Sequence, residues 1–210
     1  TAAAEAAGPQ LLELRTKAGY VQRHWLRPGW LEAARLARPA VDGALDEWAA
    51  GGCLSGGAWV VSDESFRPRA WLGWSAEGLH VAAAIPVAGP PAGDPKRFWQ
   101  ATCLEVLVDT AGRDDRAWGE TAHQFWFMPV RDGEDWRCYV GQWKRGPAIA
   151  ATVYDDTRCR AAARVADGAV TIEALLPASV LGTAPAAGAT WRAAVAVQDA
   201  APPDGPAMAA

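Results

Sequence analysis

The feature that most constrains the fold is a series of about ten short apolar runs separated by Gly, Pro and Asp. The runs lie at 58–62, 69–73, 79–85, 103–108, 124–128, 137–143, 148–153, 158–165, 169–175 and 191–197. Runs of this length at such close spacing, with no helical period between them, are typical of strands rather than of βαβ units. We therefore predict an all-β fold, an antiparallel β-sandwich of the jelly-roll or immunoglobulin-like type.

Several of these runs alternate between two kinds of side chain. Val106 and Val108 alternate with Glu105, Leu107 and Asp109, which indicates a strand with one buried face and one different face. A proline at 177 ends the strand that begins near 170, and residues 178–181 are predicted to form one short helical turn.

The chain divides into three predicted parts. Residues 1–37 have apolar positions at roughly helical spacing, such as Leu11, Leu14 and Leu31, interrupted by Gly and Pro, and are predicted to be a short helical or irregular lead-in or linker. Residues 38–200 form the sandwich. Residues 201–210, rich in Ala, Pro and Gly, are predicted to be a flexible tail.

Charge and hydropathy exclude two classes of partner. The net charge is −4, with Lys and Arg dispersed along the chain, which argues against nucleic acid. No apolar run approaches the roughly 18 residues that a membrane-spanning helix needs, so we expect a soluble chain. Residues 1–7 lack the pattern of a signal peptide, so we expect that any export signal has been removed or lies outside this sequence.

The four cysteines are Cys53, Cys103, Cys138 and Cys159. They form no CxxC pair and have no His at ligand spacing, which argues against a zinc site. Buried thiols and one or two disulfides both remain open. Cys138 and Cys159 lie in consecutive predicted strands and can face each other, but spacing does not fix the connectivity.

No catalytic motif is present. The sequence lacks a Gly-x-Ser-x-Gly elbow, a His-Glu-x-x-His helix and a phosphate-binding loop, and its histidines, at 24, 80 and 123, stand in unlike contexts. We therefore expect a protein that is not an enzyme.

Six segments carry a resemblance to a known family. They read VDGALDEW at 41–48, AWLGWSAEGLHV at 70–81, WQATCLEVLVD at 99–109, HQFWF at 123–127, VTIEALLP at 170–177 and VAVQDA at 195–200. In this order they resemble the family 9 carbohydrate-binding modules and the wider group of DOMON-like sandwiches. The resemblance implies a secreted, periplasmic or cell-surface accessory module that brings an appended or partner enzyme to polysaccharide or sugar ends.

The resemblance also implies a sugar-binding site. Trp99 corresponds to an aromatic wall and Glu105 to a hydrogen-bonding carboxylate. This pairing makes physical sense, because a pyranose ring stacks its C–H groups on an indole while its hydroxyls require fixed donors and acceptors. Further Trp side chains are candidates for a platform around the pocket: Trp118, Trp126, Trp136 and Trp143.

The sequence departs from the family pattern at three places. Trp126 stands where the family has Arg, and Ala196 stands where it has a polar amide. The family's final segment, which supplies a second aromatic wall, has no clear counterpart after Pro202.

Other polar residues have simpler interpretations. Asp42, Asp46 and Glu47 with Trp48 suit a turn and an anchoring indole, and Glu173 and Asp199 are expected to be buried or turn-fixing groups. No cofactor is expected to be required. Structural calcium remains an option, with the candidate ligands Asp109, Asp114 and Asp115.

Two alternatives to sugar binding remain open. The first is a haem b electron-transfer domain, because other DOMON-like sandwiches hold haem through Met with His or Lys; Met128 with His80 or His123 are the candidates here. The second is a structural sandwich without a ligand.

Overall fold

The protein is a β-structure built from two sheets that share one core. The computed structural model describes residues 10–15, 21–26, 33–37, 39–50, 52–54, 66–91, 93–112, 119–144, 146–199 and 207–209. Their strands are β1 (Gln10–Arg15), β2 (Val21–Leu26), β3 (Ala34–Arg35), β4 (Gly52–Leu54), β5 (Arg69–Ser75), β6 (Gly78–Pro86), β7 (Cys103–Asp109), β8 (Ala122–Asp132), β9 (Asp135–Gln142), β10 (Arg160–Ala166), β11 (Ala169–Pro177), β12 (Arg192–Asp199) and β13 (Ala207–Ala209). The predicted all-β sandwich is confirmed.

The described strands pair in two main sheets and one two-stranded sheet. The first sheet has the order β10-β11-β6-β5-β3, with β4 also on β5, and the second has the order β13-β12-β7-β8-β9. The pairing is antiparallel except between β3 and β5, which run parallel. Strands β1 and β2 form a separate antiparallel pair.

Alternation along each strand places the core between the two sheets. In β7, Leu104, Val106 and Val108 are at most 2% exposed and pack with Phe125 and Phe127 of β8 and with side chains of the first sheet. Glu105, Leu107 and Asp109 occupy the intervening positions, as the sequence predicts. They therefore lie on the side of the second sheet that points away from the core, here called the outer face.

The outer face of the first sheet is closed by residues 39–50. Glu173 of β11 anchors this segment, since its carboxylate accepts hydrogen bonds from the backbone N–H of Asp42 (3.0 Å) and Gly43 (2.8 Å) and from Nε1 of Trp48 (2.7 Å). Trp48 and Trp71 pack there over Ala82. The turn role predicted for 42–48 and the buried polar role predicted for Glu173 are confirmed.

The predicted strands fit the structure except at 148–153. Within this segment, Val153 alone is paired, through an isolated bridge to Gln142 of β9. The turn at 146–149 interrupts the extended chain that a strand would need. The predicted strand at 58–62 lies outside the described residues. The predicted helical turn is confirmed as α1 (Ala178–Leu181).

The predicted lead-in and tail also differ from the structure. The lead-in was expected to be helical or irregular, but Leu12, Leu14, Val21, Arg23 and Trp25 fall within the paired strands β1 and β2. Positions 10–15 and 21–26 are too short for a stable helix but long enough for a two-stranded ladder. Strands β3 and β13 pair with sandwich strands β5 and β12, beyond the predicted limits at 38 and 200.

The three cysteines whose side chains are described are separate, buried thiols. Cys103, Cys138 and Cys159 are free, so the structure holds no bridge between Cys138 and Cys159. Burial raises the pKa of Cys138 and of Cys159 to about 12, and it raises the pKa of Cys103 well above the ordinary value of a thiol. These side chains therefore stay protonated near neutral pH and act as small apolar groups. None of the helices described here is long and apolar enough to cross a membrane.

We predict that Glu173→Gln lowers the free energy of unfolding by about 1–3 kcal/mol. The carboxylate accepts three hydrogen bonds, whereas a carboxamide turns an N–H donor toward at least one of the three donors. Urea unfolding followed by fluorescence measures the change. The matched control Glu134→Gln, on an exposed turn, should stay within about 0.5 kcal/mol; equal effects of the two substitutions would contradict the anchoring role.

We also predict that the fold loses stability on mild acidification. Burial lowers the pKa of His80 and of His123 from the ordinary value of 6.5, so the unfolded chain binds more protons than the native state around that pH. Unfolding should therefore become easier as the pH falls from about 7.5 to about 5.5. The His123→Gln variant should show a shallower slope of urea midpoint against pH, and an unchanged midpoint in the parent protein would refute the prediction.

Candidate functional site

The outer face of the second sheet brings polar and aromatic side chains together. Glu105 of β7 lies directly between Trp126 of β8 and Ala196 of β12. In the neighbouring rows, Gln124 pairs with Leu107 and Gln198 pairs with Cys103. Because paired residues project from the same side of a sheet, Glu105 stands among two amides and one indole.

The Glu105 carboxylate holds one of these amides in place. Nε2 of Gln124 donates to Oε2 of Glu105 at 2.6 Å, which turns the amide oxygen of Gln124 away from the carboxylate. Both residues are covered in part by their neighbours, with Gln124 only 2% exposed. A preset arrangement of this kind can orient hydroxyl groups without first ordering its own side chains.

Three buried polar atoms on this face have no hydrogen-bond partner in the part of the chain that the structure describes. Among the described residues, no hydrogen-bonding group meets Oε1 of Gln124, Nε1 of Trp126 or Oε1 of Gln198. Buried polar atoms in native proteins nearly always have a partner, often an ordered water. Their common face therefore holds polar groups that water or a ligand with hydroxyl groups could satisfy.

Aromatic rings cover the other half of this face. Phe98 stacks on Trp126, with ring centroids 4.5 Å apart and planes 15° apart. Trp143 meets both rings edge-on, at 5.7 Å and 6.1 Å. We call Phe98, Trp126 and Trp143 the ring cluster. Gly141 of β9 leaves the space for it, because a Cβ there would lie 1.9 Å from Cζ2 of Trp126.

Trp99 projects from this cluster into solvent. Its side chain is 45% exposed, and its ring meets Phe98 at 5.3 Å and Trp143 at 6.0 Å, both edge-on. It lies in a 3₁₀ segment, Pro95–Gln100. Burial of Phe98 and a hydrogen bond from Oγ1 of Thr102 to Oδ1 of Asp199 (2.9 Å) attach this segment to the sheet. The exposed indole is thus held in position, and the buried role expected of Asp199 is confirmed.

The structure brings together some of the predicted site residues and separates others. Trp99, Glu105 and Trp143 share the outer face, with Trp143 half-buried. Trp126 is 0% exposed beneath Phe98, so the expectation that it contacts a ligand does not fit this surface; its ring instead packs against Phe98, Trp143 and Tyr154. Trp136 lies near the β8–β9 turn against Arg131. Trp118 lies outside the described residues.

Tyr154 is an exposed aromatic residue beside the ring cluster that the sequence reasoning missed. Its side chain is 45% exposed and its ring meets Trp126 edge-on at 6.0 Å. The only local signal was an aromatic residue directly before the pair Asp155 and Asp156, which in isolation reads as the start of a turn.

Of the candidate calcium ligands, Asp109 alone lies among the described residues. Asp109 accepts hydrogen bonds from Oγ1 of Thr121 (2.5 Å) and from N of Ala111 (3.1 Å), which fix a turn. Asp114 and Asp115 lie outside the described residues. Within the ranges that the structure describes, no three His, Cys, Asp or Glu side chains group as a metal site, and calcium stays a prediction.

The geometry speaks against the haem alternative. Met128 lies on the outer face of the second sheet with Trp126, whereas His123 lies on the opposite side of the same strand, bonded to Gln142 (Nε2–Nδ1 2.8 Å) and stacked on Phe125. His80 lies in the first sheet, bonded to Oγ of Ser75 at 2.9 Å. Neither histidine can therefore share one iron with Met128.

The fold is similar to two solved structures of a family 9 carbohydrate-binding module from Caldicellulosiruptor kristjanssonii. The complex with cellotriose has a TM-score of 0.61 and 15% identity, covering 84% of this chain and 80% of that chain. The complex with glucose has a TM-score of 0.58 and 14% identity, covering 84% and 83%. The sequence matches no family model and no curated protein. The likeness supports the fold that the sequence segments predicted.

We predict that Gly141→Ala destabilises the protein by about 1–3 kcal/mol and displaces the indole of Trp126, because the added methyl group overlaps that ring. Near-ultraviolet circular dichroism should change together with the urea midpoint. Gly89→Ala is the matched control, since a Cβ there meets nothing within 4 Å. Retention of the parent spectrum in the Gly141 variant would show that the ring cluster does not depend on this glycine.

Proposed function

We propose that this chain is a non-catalytic module that binds carbohydrate on the outer face of the second sheet. The observation that carries the proposal is an exposed indole, Trp99, held on a buried ring cluster and on the same face as the Glu105–Gln124 pair. An exposed indole beside fixed polar groups offers a ligand both a stacking surface and hydrogen-bonding partners.

The chemistry of this face matches that of a sugar. A pyranose ring presents C–H groups on one side, which stack on an indole, and hydroxyl groups around its edge, which both donate and accept hydrogen bonds. Trp99 supplies the stacking surface. The Glu105 carboxylate accepts hydrogen bonds from hydroxyl groups, and its bond from Gln124 helps to hold its orientation. A purely apolar ligand would cover these polar groups without offering them hydrogen bonds.

The fold similarity supports the same proposal. The similar module from Caldicellulosiruptor kristjanssonii was solved in complex with cellotriose and with glucose. Glucose and its short β-linked oligomers are therefore the first ligands to test here. The physiological ligand in this proposal is polysaccharide or its chain ends.

A binding module without a catalytic centre acts through another protein. By holding an appended or partner enzyme at its polysaccharide, it raises the effective concentration of that enzyme there. Such a role places the protein among secreted, periplasmic or cell-surface proteins, where polysaccharide is met.

We predict that Trp99→Ala weakens sugar binding by more than about 1 kcal/mol, because the stacking surface is removed. Isothermal titration with glucose, cellobiose, cellotriose and xylose measures it. The urea midpoint should change little, since the indole is 45% exposed.

Trp136→Ala is the matched control for this experiment. It removes another indole from the same sheet, at the β8–β9 turn against Arg131, and should leave the affinity unchanged. Equal binding by the parent protein and the Trp99 variant would reject the site. No binding of any sugar by the parent protein would favour a structural sandwich without a ligand.

A further inference from the structure

A second exposed ring stands on the same support as Trp99. Among the described residues, Trp99 and Tyr154 are the exposed large apolar side chains, each 45% exposed. Trp99 contacts Phe98 and Trp143 of the ring cluster, and Tyr154 contacts Trp126 of the same cluster. Two solvent-facing rings on one buried base distinguish this surface from the scattered apolar side chains that any protein exposes.

The strand geometry places Tyr154 on the outer face. Val153 bridges Gln142 of β9, and the Gln142 side chain points inward, where its Nε2 meets Nδ1 of His123. The next residue along an extended segment projects to the other side. Tyr154 therefore extends over Gly141 toward Trp126, and its edge-on contact of 6.0 Å agrees with this direction.

The backbone holds Tyr154 from both sides. N–H groups of Gln142 and Val153 donate to each other's carbonyls at 2.9 Å and 2.8 Å, and N of Asp156 donates to O of Val140 at 2.7 Å. Between these anchors, Asp155 takes a left-handed conformation (φ 53°), and its Oδ1 accepts from Nη1 of Arg137 at 2.8 Å. A residue that is not glycine rarely adopts such a φ unless its surroundings impose it. The backbone on both sides of Tyr154 is thus held in position, and its ring rests edge-on against Trp126.

We propose that Tyr154 is a second stacking surface of the carbohydrate site, so that the site takes an oligosaccharide rather than a single sugar. This inference rests on the proposed function and assigns its substrate class. Among the described residues, the two exposed rings contact different members of the ring cluster, Tyr154 meeting Trp126 and Trp99 meeting Phe98 and Trp143. A ligand that stacks on both therefore extends across the cluster, as a chain of sugar units does.

The test compares sugars of increasing length in the parent protein, Tyr154→Ala and Tyr154→Phe. Isothermal titration uses glucose, cellobiose and cellotriose. We expect Tyr154→Ala to weaken cellotriose binding at least about fivefold while glucose binding changes less than about twofold. Tyr154→Phe keeps the ring and should stay within about twofold of the parent for every sugar. Thr157→Ala, exposed on the same segment, is the control, and the urea midpoint of each variant verifies folding.

The outcomes separate this inference from the proposal beneath it. If the parent protein binds these sugars but Tyr154→Ala binds all of them as tightly, or loses glucose and cellotriose equally, the second surface is refuted while sugar binding stands. If the parent protein binds none of them, both are refuted. A loss confined to the longer sugar, with rescue by Tyr154→Phe, supports the inference.

Discussion

The site depends on one packing contact, the indole of Trp126 lying over Gly141. No other residue type fits at 141, because a Cβ would overlap the ring at 1.9 Å. Because the indole of Trp126 occupies this space, Phe98 can stack on it and Trp143 contacts it edge-on. Trp99 and Tyr154 then rest on a rigid base instead of turning inward. A glycine in the middle of a strand, which ordinarily weakens it, here makes the aromatic surface possible.

The two outer faces of the sandwich differ in what covers them. On the first sheet, Glu173 fixes residues 42–48, and Trp48 and Trp71 pack over Ala82, so that face is closed by the chain itself. On the second sheet, the corresponding face carries Glu105 and the ring cluster and leaves Trp99 in solvent. Because the core between the sheets uses the opposite side of each strand, this open face can hold polar groups without weakening the core.

The arrangement of polar groups on the open face lowers the stability of the fold. Oε1 of Gln124, Nε1 of Trp126 and Oε1 of Gln198 have no partner within the part of the chain that the structure describes. Each such group costs about 1–3 kcal/mol of stability when it stays unpaired. Stability given up at one face, while the rest of the described core is well packed, is a common property of binding sites. Water or a ligand with hydroxyl groups would recover part of it.

The sequence by itself determined the class of fold and most of the strands, because period-two alternation is a local property, whereas Trp99 and Glu105 as ligand contacts remain predictions from the family resemblance. Strands β1 and β2 differ from the helical prediction because two short segments satisfy a helical and a strand pattern about equally well. Only the tertiary structure decided that Trp126 is buried and Tyr154 exposed. Both outcomes follow from Gly141 and from the bridge between Val153 and Gln142, which are contacts between separate strands that no local pattern records.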